Sequence, residues 1–261
     1  MNFLTSVEDK LSKRFINNGY IINKVHQIDS LAFINKLIID NVKNILSIKR
    51  NINLNFLHKF VSIKELNSFR LSLIYNINKN PKFRYHYFNL ARDNIYVLAG
   101  NELMMQKNIN LSIQFPNDDS SLLPVHSDVW SGDSAYEINL WLPLVRCYRS
   151  KSMYILEPKF NKNFEKQILK KKYISSKNIY KLIKKKVTWI DIKYGQYLLF
   201  NQALPHGNIV NIEKETRISM NCRFKSLYSP YGDKKIGEFF LPITTRAISE
   251  IGQSFRYPFK I

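Results

Sequence analysis

Cysteine, glycine and proline are all scarce in this sequence. Its 261 residues include two cysteines, Cys147 and Cys222, which are too few for a disulfide framework or a four-cysteine metal site. Eight glycines and nine prolines exclude a collagen-like or linker-dominated chain. The whole sequence is 45% hydrophobic and 23% charged, which is typical of a globular protein. We predict one domain over residues 1–261.

Long apolar stretches are also missing. No hydrophobic run approaches the roughly 20 residues that a membrane-spanning helix needs, so we predict no association with a membrane. Near the start of the chain, Glu8 and Asp9 lie where a signal peptide would have its apolar segment. We therefore expect a protein of the reducing cytoplasm.

Acidic residues are few, since 20 Asp and Glu stand against 40 Lys and Arg and leave a net charge of +20. Such a charge can indicate a nucleic-acid partner. However, 11 of the basic residues are Arg, and abundant Lys, Asn, Ile, Phe and Tyr are typical of an AT-rich genome. Eleven lysines and one acid, Glu165, lie between Lys159 and Lys186. We therefore attribute the charge to composition and to one solvated segment, and predict no binding of nucleic acid.

The first 95 residues have the pattern of a helical layer. Two capping boxes are present, Thr5-x-x-Glu8 and Ser62-x-x-Glu65, and each predicts the start of a helix. Between residues 31 and 42 the apolar positions recur with a helical period.

From residue 96 onward, apolar and polar residues alternate as they do in strands. One long strand is predicted over 103–115, with a polar side formed by Gln106, Asn108, Asn110, Ser112 and Gln114. Further strands are predicted over 136–144, 152–156, 197–200 and 217–224, and one short strand, 21–25, is predicted within the N-terminal part. A lysine-rich helical insertion, 158–186, interrupts a β core over 96–227, and 228–261 is a C-terminal extension. Helices followed by strands predict an α+β protein that is mainly β with a helical buttress.

Two histidines and one aspartate have the spacing of metal ligands. His126 and Asp128 are separated by one residue, and on an extended backbone such side chains point to the same side. His206 follows 78 residues after Asp128, in a turn that contains Pro205 and Gly207. Two imidazoles and one carboxylate form the facial ligand set of non-haem Fe(II), which leaves coordination positions open.

A polar face on the last predicted strand adds an anion-binding group. Arg217 and Ser219 share this face with Asn221 and Arg223. A guanidinium pairs with a carboxylate through two parallel hydrogen bonds, whereas a buried and unpaired Arg is costly. Arg217 with Ser219 therefore suits a bound dicarboxylate.

The series His126-x-Asp128, His206 and Arg217-x-Ser219 resembles the Fe(II)/2-oxoglutarate-dependent dioxygenase superfamily, in particular its phytanoyl-hydroxylase-like branch. The resemblance extends over about residues 103–224. It implies a double-stranded β-helix, a jelly-roll or cupin-like core, with N-terminal helices packed on one sheet. It implies that His126, Asp128 and His206 bind Fe(II), that Arg217 and Ser219 bind 2-oxoglutarate, and that O2 is the oxidant.

Three segments, 114–116, 126–133 and 141–144, also resemble a bacterial subgroup associated with surface-carbohydrate biosynthesis. This resemblance implies hydroxylation or oxidation of a small polar molecule, such as a sugar or an anionic, nucleotide-linked sugar. The residues expected to contact the substrate are Gln106, Gln114, Trp130 and Asn221.

Two other functions use the same residues. A zinc-dependent hydrolase can have two His and one carboxylate as ligands, but it leaves Arg217 unexplained. A non-catalytic jelly roll that binds carbohydrate or nucleic acid is the second alternative, and the lysine-rich insertion supports it. Lys151 is an alternative to Arg217, because some branches of the superfamily hold the co-substrate with a lysine from this region. The insertion itself is a candidate for a charged lid that attracts an anionic substrate.

Overall fold

The computed structural model describes residues 3–170 and 175–258, and it begins with the predicted helical layer. Five helices precede the long strands: α1 Ser6–Asn18, α2 Ile28–Leu46, α3 Leu66–Asn78, α4 Phe83–Asn89 and α5 Arg92–Ala99. A 3-10 helix, Leu54–Lys59, connects α2 with α3. The apolar sides of these helices pack against the larger of two sheets and share one hydrophobic core with it. The predicted helical buttress is therefore confirmed.

The two capping boxes behave differently. The Thr5 hydroxyl accepts a hydrogen bond from the Glu8 backbone N–H, and the Glu8 carboxylate accepts one from Thr5, so this box starts α1 as predicted. The same reciprocal bonds join Ser62 and Glu65. There they close a turn ahead of the helix, and α3 begins at Leu66.

The larger sheet is antiparallel and is centred on a ten-residue strand, β9, that runs from Arg217 to Ser226. Its strand order is β1-β7-β4-β9-β2-β10, and β3 pairs with the first half of β9 beside β2. The remaining bounds are β1 Tyr20–Lys24, β2 Leu103–Gln106, β3 Asn110–Gln114, β4 Glu137–Pro143, β7 Gln196–Asn201 and β10 Phe240–Thr244. The last of these, followed by helix α8 (Ala247–Ser254), lies in the segment predicted as a C-terminal extension.

The smaller sheet has the order β6-β5-β8 and is also antiparallel. Its strands are β5 Tyr154–Leu156, β6 Val187–Trp189 and β8 His206–Gly207. The two sheets form the open jelly-roll core that the resemblance implies, not a closed barrel. Among the helices of the described residues, none combines the length and apolar character that crossing a bilayer requires.

The prediction of a single strand over 103–115 is wrong, because residues 107–109 are not in a strand and separate β2 from β3. Asn78, the last residue of α3, takes both backbone groups of Ile109: its amide nitrogen donates to the Ile109 carbonyl at 3.0 Å, and its side-chain oxygen accepts from the Ile109 N–H at 2.8 Å. In β2 all four residues are buried, so a polar face exists only in β3. The alternation of apolar and polar residues continues through this interruption, so it does not reveal it. The interruption depends on Asn78, which is 31 residues from Ile109 in the sequence.

The lysine-rich insertion is helical, as predicted, and forms α6 (Pro158–Leu169) and α7 (Ser176–Ile183). Phe164, Ile179 and Ile183 pack in a second hydrophobic cluster with β5. The helical spacing of Phe164, Ile168, Leu169 and Tyr173 predicts one apolar side that docks on the protein. Leu169 is exposed instead, and Tyr173 lies outside the described residues.

Candidate functional site

His126 and His206 lie side by side because their backbones pair. The His126 N–H donates to the His206 carbonyl at 2.9 Å, and the His206 N–H donates to the His126 carbonyl at 2.8 Å. Two residues further on, the Asp128 N–H donates to the Gln202 carbonyl at 3.1 Å. These bonds fix residues 126–128 against the turn that leads into β8 and bring residues 78 positions apart into one site.

The backbone between His126 and Asp128 is extended, as the spacing predicted. Ser127 has φ −125° and ψ 135°, and its hydroxyl donates to the Ala203 carbonyl on the far side. Asp128 then begins a 3-10 turn that ends at Gly132, where φ is +87°. This left-handed backbone conformation favours glycine, and a Cβ at Gly132 would also force the carboxylate of Asp233 to move.

Both histidines present the same nitrogen to the site. Nδ1 of His126 lies 2.7 Å from the Pro124 carbonyl oxygen, and Nδ1 of His206 lies 2.8 Å from the Leu204 carbonyl oxygen. A carbonyl oxygen only accepts hydrogen bonds, so each Nδ1 carries a proton and donates it. In the neutral form of each imidazole the lone pair is therefore on Nε2, which is the arrangement that metal-binding histidines have.

The two Nε2 atoms converge on one carboxylate oxygen. Oδ1 of Asp128 lies 3.5 Å from Nε2 of His126 and 3.8 Å from Nε2 of His206. One ligand atom from each of the three residues lies within 4.8 Å of the others, so a single ion can contact all three. His206 and Asp128 are buried, and His126 is partly exposed on the cavity side.

The pKa shifts of His206 and Asp128 suit a bound cation, whereas the shift of His126 favours its protonated form. Burial, together with repulsion from His126, lowers the pKa of His206 to about 4, so this imidazole is neutral at pH 7. Burial acts to raise the pKa of Asp128, but hydrogen bonding to His126 and attraction to His206 and Arg223 hold it well below its ordinary value. For His126, burial opposes the hydrogen bonds to Asp128 and Pro124, and the net effect raises the pKa. The site thus offers one anionic and two imidazole ligands.

Arg223, on β9, holds the second oxygen of Asp128. Its Nη2 lies 3.0 Å from Asp128 Oδ2, and its Nε donates to the Gln202 side-chain oxygen at 2.8 Å. The Gln202 amide in turn donates to the buried carboxylate of Glu137 at 2.6 Å. The sequence pattern placed Arg223 on the same strand face as Arg217 but indicated no function for it. A lone Arg on a strand has no spacing signal, so its contact with Asp128 could not be predicted.

Arg217 lies in the same cavity as the three candidate ligands. The cavity has a volume of about 250 Å³, and its lining includes His126, Asp128, His206, Arg217 and Ser219. It lies between the two sheets, because β8 carries His206 and β9 begins with Arg217. The structure therefore brings together all five residues predicted as ligands of the metal and the co-substrate.

The donors around Arg217 are only partly used. Its Nη1 donates to the Ser152 carbonyl at 3.2 Å, and its Nη2 donates to the Ser112 hydroxyl at 2.9 Å. Its Nε and the Ser219 hydroxyl are buried and have no partner among the described residues. Burial lowers the pKa of Arg217, and no carboxylate in the described residues forms an ion pair with it. An anion in the cavity would satisfy these donors.

Lys151 does not reach this cavity. It is fully buried, and its Nζ donates to Glu215 at 2.6 Å and to the Asn55 side-chain oxygen at 2.7 Å. Lys151 therefore neutralises Glu215, while the cavity is lined by Arg217.

The four residues predicted to contact substrate lie in different places. Asn221 lines the cavity. Gln106 and Gln114 are buried and do not line it: Gln106 accepts from the Arg223 backbone N–H, and Gln114 donates to the Ile209 carbonyl. Trp130 is half exposed, and its ring lies 6.3 Å from that of Phe164 in α6, away from the cavity lining.

No protein-family model matches the chain, and no curated protein sequence is significantly similar to it. Solved structures are similar. The non-haem monooxygenase ThoJ, in complex with nickel, has a TM-score of 0.53 at 14% identity, covering 90% of this chain and 84% of its own. EctD from S. alaskensis, with 2-oxoglutarate and 5-hydroxyectoine, has a TM-score of 0.55 at 14% identity, covering 87% and 78%. AviO1 from Streptomyces viridochromogenes Tue57 has a TM-score of 0.55 at 13% identity, covering 88% and 99%.

At identities of 13–14%, the TM-scores of 0.53–0.55 show a shared fold. In this fold the described residues provide a His–Asp–His cluster with free Nε2 atoms, and a buried arginine with unsatisfied donors in the same cavity. The chain therefore has the fold of the non-haem oxygenases, with a candidate metal site and a candidate anion site in one cavity.

Proposed function

We propose that this protein is an Fe(II)- and 2-oxoglutarate-dependent oxygenase, an oxidoreductase. The observation that supports the proposal most strongly is the single cavity that contains His126, Asp128, His206 and the unpaired Arg217. A metal site alone would fit many enzymes, and a buried arginine alone would fit many anions. Together they fit a metal enzyme whose co-substrate is a dicarboxylate.

The metal ligands in the proposal are His126, Asp128 and His206. The Pro124 and Leu204 carbonyls fix the orientation of the two imidazoles, and Arg223 fixes the carboxylate. Such partners of the ligands maintain the geometry and the basicity of a metal site. Fe(II) and 2-oxoglutarate, when bound, supply the chemistry in which O2 oxidises a C–H bond of the substrate.

Arg217 and Ser219 have the role of binding the distal carboxylate of 2-oxoglutarate. The Nε of Arg217 and the hydroxyl of Ser219 are buried donors without a partner among the described residues, and both side chains line the cavity. Charge-assisted hydrogen bonds of this kind hold a ligand in one orientation. The opposite end of the co-substrate is then directed toward the histidines.

The substrate in our proposal is a small polar molecule such as a sugar or a nucleotide-linked sugar. Asn110, Ser112 and Asn221 line the cavity near Arg217 and offer amide and hydroxyl groups to a ligand of this kind. Asn110 and Asn221 are opposite one another in the β3–β9 register, so their side chains lie on one side of the sheet.

The zinc hydrolase is the second candidate, and the ligand set alone would permit it. Asp128 is the only acidic residue that lines the cavity in the part of the chain the structure describes, so no separate carboxylate is present to act as a general base. The non-catalytic alternative depends on the lysine-rich insertion, and no described residue of α6 or α7 lines the cavity.

The proposal is tested by the release of CO2 from 2-oxoglutarate labelled at its 1-carboxylate, with Fe(II), O2 and ascorbate. We expect turnover by the wild-type protein and none by Asp128→Ala, because that change removes the only charge among the ligands. Asp128→Glu should also lose most of the activity, since the longer side chain displaces the oxygen ligand. His26→Ala, at a partly exposed histidine paired with Asp93, is the matched control and should retain turnover.

Absence of turnover with tightly bound zinc would support the hydrolase instead. Absence of both turnover and metal binding would support the non-catalytic alternative. Full turnover by Asp128→Ala would refute the ligand assignment.

A further inference from the structure

A second cavity adjoins the one that contains the candidate metal site. It has a volume of about 470 Å³ and lies between α3, β3 and the loop 120–123. Asn110, Ser112, Leu123 and Asn221 line both cavities, so the two share a wall. We call the second one the outer cavity. Its size is within the range of small-molecule sites.

One cation faces this outer cavity, and it has no acidic partner. Arg70 projects from α3, and its Nη2 donates to the Asn67 side-chain oxygen at 2.8 Å. No carboxylate in residues 3–170 and 175–258 forms an ion pair with Arg70, and no acidic residue is found in the lining of the outer cavity. The remaining N–H groups of the guanidinium are available to a ligand, and the field in the cavity favours an anion.

The rest of the polar lining is rich in neutral groups. Amides come from Asn67, Asn110 and Asn221, and hydroxyls come from Ser112, Ser120 and Ser121. Amides and hydroxyls both donate and accept hydrogen bonds, as the hydroxyl groups of a ligand also do. Apolar contacts are supplied mainly by Ile63, Ile74 and Leu122.

The lysine-rich insertion contributes none of this lining. Its described residues, 158–170 and 175–186, line neither the outer cavity nor the inner one. An anionic ligand in the outer cavity is therefore within reach of Arg70, whereas the described residues of the lysine-rich insertion do not line that cavity.

We propose that the outer cavity binds a polyhydroxylated molecule with one oxyanion, and that Arg70 anchors this oxyanion while the hydroxyl-bearing part extends past Asn110 and Asn221 toward the candidate metal ligands. The oxyanion is a phosphate or a carboxylate. This inference rests on the proposed function at one point, which is that the molecule bound in the outer cavity is the substrate of the oxygenase.

The test measures binding to the metal-free protein by calorimetry, without any turnover. The probes are glucose 6-phosphate and glucuronate, with glucose and inorganic phosphate as the neutral and the sugar-free controls. We expect one of the two anionic sugars to bind at least tenfold more tightly than glucose and than inorganic phosphate. Which of them binds more tightly distinguishes a phosphate from a carboxylate.

Arg70→Gln should weaken binding of that anionic sugar tenfold or more, because a charge-assisted contact is lost. Two variants serve as controls and should bind it as the wild type does. Arg14→Gln removes an exposed arginine that lines neither cavity, and the triple change Lys170→Gln, Lys184→Gln and Lys185→Gln removes charge from the insertion. A further variant, Arg217→Gln, removes the inner anion site and should weaken binding less than Arg70→Gln does, because Arg217 contacts the outer cavity only through the Ser112 hydroxyl.

The inference is overturned if neither anionic sugar binds more tightly than the controls, or if Arg70→Gln binds unchanged. It is also overturned if the loss occurs in Arg217→Gln or in the triple lysine variant instead of Arg70→Gln. Failure of the oxygenase proposal has a different signature, in which the Arg70-dependent binding is present but 2-oxoglutarate is not turned over.

Discussion

Asp128 divides its two oxygens between two tasks. Oδ1 faces the Nε2 atoms of both histidines, while Oδ2 is held by Arg223 at 3.0 Å. A carboxylate fixed in this way offers a single oxygen to an ion and cannot rotate freely. We therefore expect Arg223 to act as a positioning residue, whose effect would reach a bound ion through Asp128.

We predict that Arg223→Gln weakens metal binding by about 10- to 100-fold, which is typical for loss of a residue that orients a metal ligand. Arg223→Lys should recover part of the affinity, because it restores a positive charge without the planar fork. Affinity for Mn(II) or Co(II), measured by calorimetry on protein that retains its fold by circular dichroism, is the readout. Unchanged affinity in Arg223→Gln would show that Asp128 is positioned without this contact.

Arg217 and Lys151 are both buried cations near the start of a strand, yet they differ in their partners. Arg217→Gln should raise the Michaelis constant for 2-oxoglutarate tens-fold, because a charged hydrogen bond inside a cavity contributes roughly 1.5–3 kcal/mol. Lys151→Met should leave this constant unchanged and lower the free energy of unfolding, since Glu215 loses its buried partner.

The two measurements are 2-oxoglutarate kinetics and urea unfolding on the same pair of variants. A larger kinetic effect in Lys151→Met than in Arg217→Gln would contradict the assignment of the anion site to β9.

At the scale of residues, the sequence indicated the candidate metal ligands His126 and Asp128, because side chains separated by one residue on an extended backbone point to the same side. Contacts between residues that are far apart in the sequence could not be predicted. Gln106 and Gln114 were expected on a polar face open to ligand, but they hydrogen-bond to protein groups at Arg223 and Ile209. A polar residue on a strand gives the same sequence pattern whether its side chain hydrogen-bonds to a ligand or to the backbone.

At the scale of elements, the largest departure from the sequence prediction is the break between β2 and β3. Asn78 substitutes for a neighbouring strand by pairing with both the N–H and the carbonyl of Ile109. Ile109 is fully buried, so water cannot replace these bonds. The alternation of apolar and polar residues predicts strand character but contains no information about such a side-chain substitute.

Asn78→Ala should therefore lower the free energy of unfolding by about 1–3 kcal/mol, since buried backbone groups are left without partners. Asn41→Ala is the matched control: its amide bonds to one carbonyl within a helix, Leu37, and its loss should cost no more than about 0.5 kcal/mol. Urea unfolding of the two variants gives the comparison. Equal stabilities would mean that solvent or a local shift satisfies Ile109.

The ends of β4, β7 and β9 agree with the sequence prediction to within two residues, since each predicted strand has a clear apolar core. The short β8 was not predicted as a strand. It consists of His206 and Gly207 and depends on pairing with β5, which the sequence around it does not specify.

On the scale of the whole molecule, the site exists because the two sheets face each other. The smaller sheet provides His206 through β8, and the larger one provides Arg217 and Arg223 through β9. The helical layer packs on the larger sheet and adds Arg70 from α3 at the outer cavity. Half of the net charge of +20, in contrast, lies between residues 159 and 186, in the insertion whose helices α6 and α7 pack elsewhere on the smaller sheet.

A crystal structure of the protein with Mn(II) and 2-oxoglutarate, prepared without oxygen, is the most direct test of this arrangement. We predict one metal ion bound by Nε2 of His126, Nε2 of His206 and the carboxylate of Asp128. The distal carboxylate of 2-oxoglutarate should contact Arg217 and Ser219 in the same cavity. A metal ion bound elsewhere, or 2-oxoglutarate held by other residues, would contradict the account.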